Sequence, residues 1–425
     1  MSRPGRRVVV TGVGLVSAFG SDPKAYWQAL ASGASGVART PVEGIAGDGV
    51  IGAPATGFSP RAHIDAKSLR LMAPAVAFGV AGAQLAMTDS GFKPETLAPD
   101  RFGVFMGSRG HSSDRQDLMT AVRKASEGGH FDLGAFGTVG LPLVHPMWLL
   151  KGLANNVLYF VSLKYNAQGM NNNISMGGVG GTMAIGEAFQ AVQRGYLDAA
   201  LAGGYDSGLD LDRVEMFGVS KLLTREKDPA RAGRPFDKAR DGFVSGEGAA
   251  FLVLETLDAA AARGARVYGE VLGYGSATAP ASKSGLGPSA KGFALSSAAA
   301  IADAGGRAPD AVFAHGLATV ESDCGETAAM KDVLGARAKT TPMPAIKSMI
   351  GNTFAASGGL EAIAALLALG AGLLPPTIHL ADADPACDLD YVPGQARAAS
   401  LATVLLPNAN LGGAHAALVL GAVRR

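Results

Sequence analysis

Short apolar runs that read as strands alternate with Ala-rich helical stretches along all 425 residues. The runs occupy residues 8–10, 102–106, 199–202, 249–254, 267–274, 311–314, 403–406 and 416–420. Continuously apolar strands need cover on both faces, and intervening helices supply it, so the pattern predicts an α/β fold. The length exceeds one simple core and points to two domains or one duplicated fold. The charged, Ala-rich segment 255–266 reads as a junction, after which RVYGEVLGYG restarts on a strand as the N-terminus does. Two similar halves are therefore expected, residues 1–255 and 266–425.

Hydrophobic residues make up 48% of the chain and charged residues 17%, so association with another subunit is expected to bury surface. A formal net charge of +1 gives no electrostatic reason to expect nucleic acid or an anionic membrane. Two cysteines without C-x-x-C spacing predict no disulfide framework and a reducing, cytoplasmic setting. The start MSRPGRRVVVTGVGLVSAFG places a basic segment before an apolar run, as a signal peptide does. Its Gly and β-branched content, with no A-x-A site following, favours a buried first strand at residues 8–11. No uninterrupted apolar run reaches the ~18 residues of a membrane span. The longest, residues 362–374, ends at Pro375-Pro376 and predicts a core helix.

Several strings carry chemistry. TGVGLVS at residues 11–17 lacks the third glycine and the distal acid of a dinucleotide fingerprint, and reads as a tight turn after the first strand. RPFDKARDGFVSGEGAAFLVLE spaces Arg234, Asp237, Arg240, Asp241 and Glu247 through a Gly-rich loop before a strand. A buried ion-pair network holding that loop is the expectation, with general-acid chemistry at Glu247 as the alternative. AHGLATVESDCGETAAMKDVLG sets His315 after a strand, with Asp323 and Glu326 on the next helix. AIKSMIGNTFAASGGLEAI carries Lys347 and Asn352, and LPNANLGGAHAALVL reads as a strand, a Gly-Gly turn and a closing strand. His315 has no ligand-spaced partner, so no metal site is expected.

Together these strings resemble the β-ketoacyl-acyl carrier protein synthase family of the thiolase superfamily, from Val8 to about Leu420. VVVTGVGLVSAFG, RPFDKARDGFVSGEG, HGLATVESDCGE, KSMIGN, DLDYVP and the final Gly-Gly turn carry the likeness. The resemblance implies a thiolase-like five-layered αβαβα fold of two pseudo-duplicated halves. Counting back from Ile185-Gly186 in NNNISMGGVGGTMAIGEAFQ, the family's nucleophilic cysteine falls on Gly178. Its first catalytic histidine falls on His315, the lysine of KS-x-x-GH on Lys347, and the histidine of that motif on Asn352. The acid that pairs with the lysine falls on Glu326. The gating phenylalanine of GFGGTN falls on Leu411, and its Thr and Asn on Ala414 and His415. Trp148 falls where family members send a ring across the dimer interface towards the partner's acyl pocket, and Gly110 at another pocket-lining position.

Claisen condensation needs a thiolate to hold the acyl chain and donors to stabilise an enolate. Gly178 removes the first, and Asn352 can donate a hydrogen bond but cannot be cationic. Cys324, Cys387, Ser175 and Thr182 offer no replacement, and GGVGG reads as a small, flexible turn in place of a strained elbow. The resemblance then implies a chain-length-factor subunit without condensing activity. Such a subunit pairs with an active ketosynthase as a heterodimer, shapes the acyl or polyketide tunnel, and receives the chain from an acyl carrier protein. No cofactor, metal, nucleic acid or membrane is implied. A stand-alone malonyl-acyl carrier protein decarboxylase or acyltransferase using His315, Lys347 and Asn352 is the enzymatic alternative, and a scaffold with no role in chain length is the third.

Overall fold

A computed structural model describes residues 5–110, 115–280 and 287–423. The N-terminal half runs β1 (Val8–Val16), α1 (Pro74–Ser90), β2 (Phe102–Gly107), α2 (Asn156–Tyr165), β3 (Asn171–Ile174), α3 (Gly180–Gln193), β4 (Ala199–Ser207) and β5 (Ser245–Thr256). The C-terminal half runs β6 (Gly269–Thr278), α4 (Ala290–Asp303), β7 (Ala311–Val312), α5 (Val320–Leu334), α6 (Ser357–Ala371), β8 (Thr403–Ala409) and β9 (Ala414–Gly421). The strands line up in the order β3-β2-β4-β5-β1-β6-β9-β8-β7.

The two halves repeat one wiring. In the first, β2 and β4 are parallel, β4 and β5 antiparallel, and β5 and β1 antiparallel. In the second, β7 and β8 are parallel, β8 and β9 antiparallel, and β9 and β6 antiparallel. The halves meet where β1 pairs with β6 over Val8↔Val271, Val9↔Glu270 and Val10↔Gly269. Helices α1 and α2 cover the outer face of the first half, and α4 and α5 that of the second. Helices α3 and α6 lie between, in one core with strands of both halves. These are the five αβαβα layers that the resemblance implies.

The middle layer explains the most apolar stretch. Phe354–Ala371 spans 18 residues at mean hydropathy 1.6, long and apolar enough to cross a membrane, and 83% of it is buried inside this fold. A helix covered on all sides needs no polar face. It stops at Gly372, whose left-handed φ of 62° caps it before the two prolines.

TGVGLVS is not a turn. Residues 11–16 continue β1, with a bulge between Val10 and Gly12. The glycines answer to packing: a Cβ at Gly14 would lie 2.2 Å from the Ala86 amide nitrogen of α1, and one at Gly12 2.4 Å from the Ala86 carbonyl oxygen. Helix α1 can press on β1 because those side chains are missing.

The charges of RPFDKARDGFVSGEG hold the loop as expected, through partners outside it. Arg240 is fully buried and pairs with Asp323 and Asp384, while Arg234 pairs with Glu226. Asp237 accepts from the amides of Ala239, Ala381 and Asp382, and Asp241 from Thr224 and the Arg225 amide. The loop is tied outward to α5 and to the segment around Asp384.

Candidate functional site

Two elbows converge between the halves. The first leaves β3 through Gly177, at φ 52°, makes a 3-10 turn over Gly177–Val179 and enters α3 at Gly180. The second passes Asn352, turns over Phe354–Ala356 with Phe354 at φ 50°, and enters α6 at Ser357. Gly178 and Asn352 line one cavity of about 550 Å3, with His315 and Leu411. Met216, Phe217, Leu317 and Phe354 supply apolar wall, and Arg109 and Arg213 supply guanidinium groups.

Gly178 is buried, and its vacancy is filled from outside. A Cβ built there would lie 2.9 Å from the carbonyl oxygen of Ala409, at the end of β8. The GGVGG segment closes as a 3-10 turn against Ala409 and Asn410. Neither Ser175 nor Thr182 lines the cavity, nor do the two cysteines. Ser175 accepts from Asn173 at 3.0 Å, and the Thr182 hydroxyl is buried.

The His315 loop is built by α5. Asp323 and Glu326, three positions apart, share a helix face. Glu326 accepts from the His315 and Gly316 amides at 2.6 and 2.9 Å, and Asp323 from the Ala318 and Phe236 amides at 3.1 and 2.8 Å. Those bonds hold Ala318 at φ 63° and Phe236 at φ 64°, a conformation costing on the order of 1–3 kcal/mol for a residue with a side chain. Glu326 is therefore not the partner of Lys347. That partner is Glu361 on α6, at salt-bridge distance from the lysine Nζ.

Lys347 Nζ also donates to the His315 carbonyl at 2.9 Å and lies 3.3 Å from His315 Nδ1. Asn408 on β8 completes the cluster: its Nδ2 donates to Glu361 at 2.6 Å, and its Oδ1 lies 3.3 Å from His315 Nδ1. Burial, and then the neighbouring Lys347, hold the His315 pKa well below its ordinary value, so the ring is neutral. Its Nε2 is buried without a protein partner, and the ring lines the cavity. The sequence reading missed Glu361 and Asn408. A lone acid inside an otherwise apolar helix was the available signal, because a buried charge needs a partner.

Asn352 uses Oδ1 to accept from the Phe354 amide at 3.2 Å, which leaves its Nδ2 to donate. Phe354 itself stacks on Phe217 at 5.3 Å and sits beneath Arg213 at 4.4 Å. Arg109 pairs with Asp210, and Arg213 with Asp206 at 3.2 Å. Glu247 lies away from the cavity, accepting from the Ala55 amide and the Ser207 hydroxyl, and burial raises its pKa. Ala414 and His415 open β9, with the His415 ring buried against Phe293 at 5.0 Å and outside the cavity. Trp148, half-buried on the short helix Trp148–Lys151, and Gly110 do not line it either. Among the described residues, no histidine contributes to a metal-like cluster.

The site can hold an apolar ligand and offer it a neutral imidazole and an amide donor. It offers no thiol.

Comparison with known proteins agrees with this architecture. Residues 5–260 match the β-ketoacyl synthase N-terminal domain and residues 268–381 the β-ketoacyl synthase C-terminal domain. The chain is 35% identical to the 3-oxoacyl-[acyl-carrier-protein] synthase 2 of a Synechocystis species over 427 residues, covering 97% of each. The structure resembles the ishigamide ketosynthase/chain length factor, with TM-score 0.85, 30% identity and coverage of 99% of this chain and 100% of that one. It also resembles a type II PKS acyl-carrier protein in complex with its ketosynthase bound to the hexaketide, with TM-score 0.83, 27% identity and coverage of 99% and 100%. Matches that span both halves, over a shared five-layered fold, settle the affiliation: this chain belongs to the β-ketoacyl synthase family.

Proposed function

We propose that the chain is a chain-length-factor subunit without condensing activity of its own, acting in a type II polyketide or polyene system. It pairs with an active ketosynthase and shapes the acyl tunnel at their interface. The carrying observation is Gly178: at the elbow where the family's thiol is expected there is no side chain, and the Ala409 carbonyl stands 2.9 Å from where a Cβ would be. Without a nucleophile no acyl-enzyme forms. The growing chain is then held on the partner's cysteine and delivered by an acyl carrier protein.

Exposed apolar side chains support a partner subunit. Between Phe131 and Met170 large apolar side chains stand in solvent, among them Leu133 at 75%, Leu163 at 68% and Leu149 at 57% exposure. Beside them β3 is an edge strand, with one neighbour in the sheet. Exposed apolar side chains and an edge strand of this kind mark an interaction site. The resemblance to a ketosynthase/chain length factor and to a ketosynthase–carrier complex supports the same partners for this chain.

In that assembly Trp148, in the same stretch of chain, limits chain growth by filling the partner's pocket, since overfilling costs about 1–3 kcal/mol. Assay of the isolated chain with malonyl and acyl carrier protein should give no condensed product, and addition of the partner should give one. In the complex, Trp148→Ala should lengthen the product; unchanged length removes Trp148 as a determinant.

The free Nε2 of neutral His315 favours one second reading, a stand-alone malonyl decarboxylase or acyltransferase. Release of CO2 from malonyl-acyl carrier protein by the isolated chain, abolished by His315→Ala, would establish it in place of the first.

A further inference from the structure

Behind the His315 loop, away from the cavity, the chain brings its two cysteines together. Cys324 lies on α5, half-buried, and Cys387 is buried in a turn that follows Asp384. Both are free thiols, with Sγ atoms 3.9 Å apart. The buried Arg240 reaches both: its Nη2 lies 3.3 Å from Cys324 Sγ and 3.8 Å from Cys387 Sγ. Its Nη1 donates to Asp384 at 2.8 Å and to the Asp237 carbonyl at 2.7 Å.

Cys324, Asp384 and Cys387 have the spacing of metal ligands, within 4.8 Å of one another. The guanidinium bonded to all three puts a permanent positive charge where a cation would sit, so the trio is a poor metal site. Closing the sulfurs to a bond of about 2.05 Å needs a movement of about 2 Å, within reach of side-chain rotation.

We infer that Cys324 and Cys387 are a disulfide-forming modification site, oxidised by hydrogen peroxide. The Cys324 thiolate attacks one peroxide oxygen, the O–O bond breaks, and hydroxide leaves and takes up the thiol's proton as water. Cys387 sulfur then attacks the Cys324 sulfenic sulfur, the S–O bond breaks, and the departing hydroxide takes the Cys387 proton as a second water. The two sulfurs lose two electrons and the peroxide gains them. Order follows access: Cys324 is the half-buried thiol, whereas burial pushes the Cys387 thiol up to about 12. The new bond spans 63 positions and ties α5 to the turn after Asp384. Arg240 also sits 3.4 Å from Asp323, which carries the Ala318 and Phe236 amides, so the staple closes directly behind the His315 loop. The inference is independent of the proposed function.

The test treats the folded chain with hydrogen peroxide and follows intact mass and iodoacetamide labelling. The mass should fall by about 2 Da, two hydrogens, with neither cysteine labelled until dithiothreitol is added. The oxidised chain should melt at a higher temperature than the reduced one. Cys387→Ser should stop at a sulfenic acid on Cys324 that dimedone captures. Full labelling of both cysteines after peroxide, a mass loss seen only in urea, or a disulfide between two chains would overturn the inference. The wild-type mass and labelling decide it even if Cys387→Ser does not fold.

Discussion

The two elbows share a backbone and differ in everything attached to it. Each makes a 3-10 turn into a middle-layer helix, and the first turn residue has φ of 52° at Gly177 and 50° at Phe354. At Gly177 the left-handed conformation costs little, because no Cβ opposes it. At Phe354 it costs on the order of 1–3 kcal/mol, offset by rings and a guanidinium packed around the side chain. The first elbow presents no functional group. The second lies beside a buried cluster of His315, Lys347, Glu361 and Asn408. An α/β duplication can lose chemistry on one side while its backbone persists, because the turn is held by close helix and strand contacts and not by the reactive side chain.

The largest expected effect comes from breaking the populated side. Lys347→Met leaves the buried Glu361 carboxyl without its cation, with Asn408 as its remaining partner, and should cost about 3–5 kcal/mol in urea unfolding. A loss under 1 kcal/mol would mean the cluster is not held by that pair.

Refilling the emptied side should cost less. Gly178→Ala places a Cβ 2.9 Å from the Ala409 oxygen, and the β8–β9 turn must shift, at about 1–3 kcal/mol. Gly178→Cys should for the same reason fail to give the isolated chain condensing activity. Activity on that single change would show that the turn yields freely and that the comparison of the elbows rests on the missing thiol alone.

A smaller effect separates the sides by pH. Burial raises Asp323 to about 7 and Glu326 to about 8, so the folded state binds protons that the unfolded state has released. Their stabilisation is complete below the unfolded carboxyl range and is lost as pH rises through about 7–8. His315 acts oppositely: its depressed value costs stability as pH falls below its ordinary value, about 6.5. Between roughly pH 8 and 6.5 the carboxyls act largely without it, and stability should rise by about 2 kcal/mol on acidification. A melting temperature that falls across that window would contradict the assignment of the shifts to the His315 loop.

Much of this was legible in the sequence, for identifiable reasons. Each apolar run expected to be a strand overlaps one of the nine labelled strands, because strands covered on both faces admit few polar residues; 267–274 starts two residues early and 311–314 runs two residues past β7. Strand β3 reads NNNI and was missed: it is an edge strand, largely exposed, with no apolar pattern to betray it. The extension of β1 through Gly12 and Gly14 was read as a turn, since glycines that permit helix approach look the same as glycines that permit bending. Within the site, family motifs located Gly178, His315 and Asn352 around one cavity. They misassigned the partner of Lys347, because spacing along α5 says nothing about which acid the middle helix turns inward. The contact between Cys324 and Cys387 joins segments 63 positions apart and left no local trace.

The central claim is that this chain works as the half of a pair with no cysteine at the nucleophile elbow. The most direct test is native mass spectrometry of the tagged chain purified from its own host. A one-to-one complex with a β-ketoacyl synthase that carries the active cysteine is the predicted result. A homodimer of this chain, with no such partner, would contradict it.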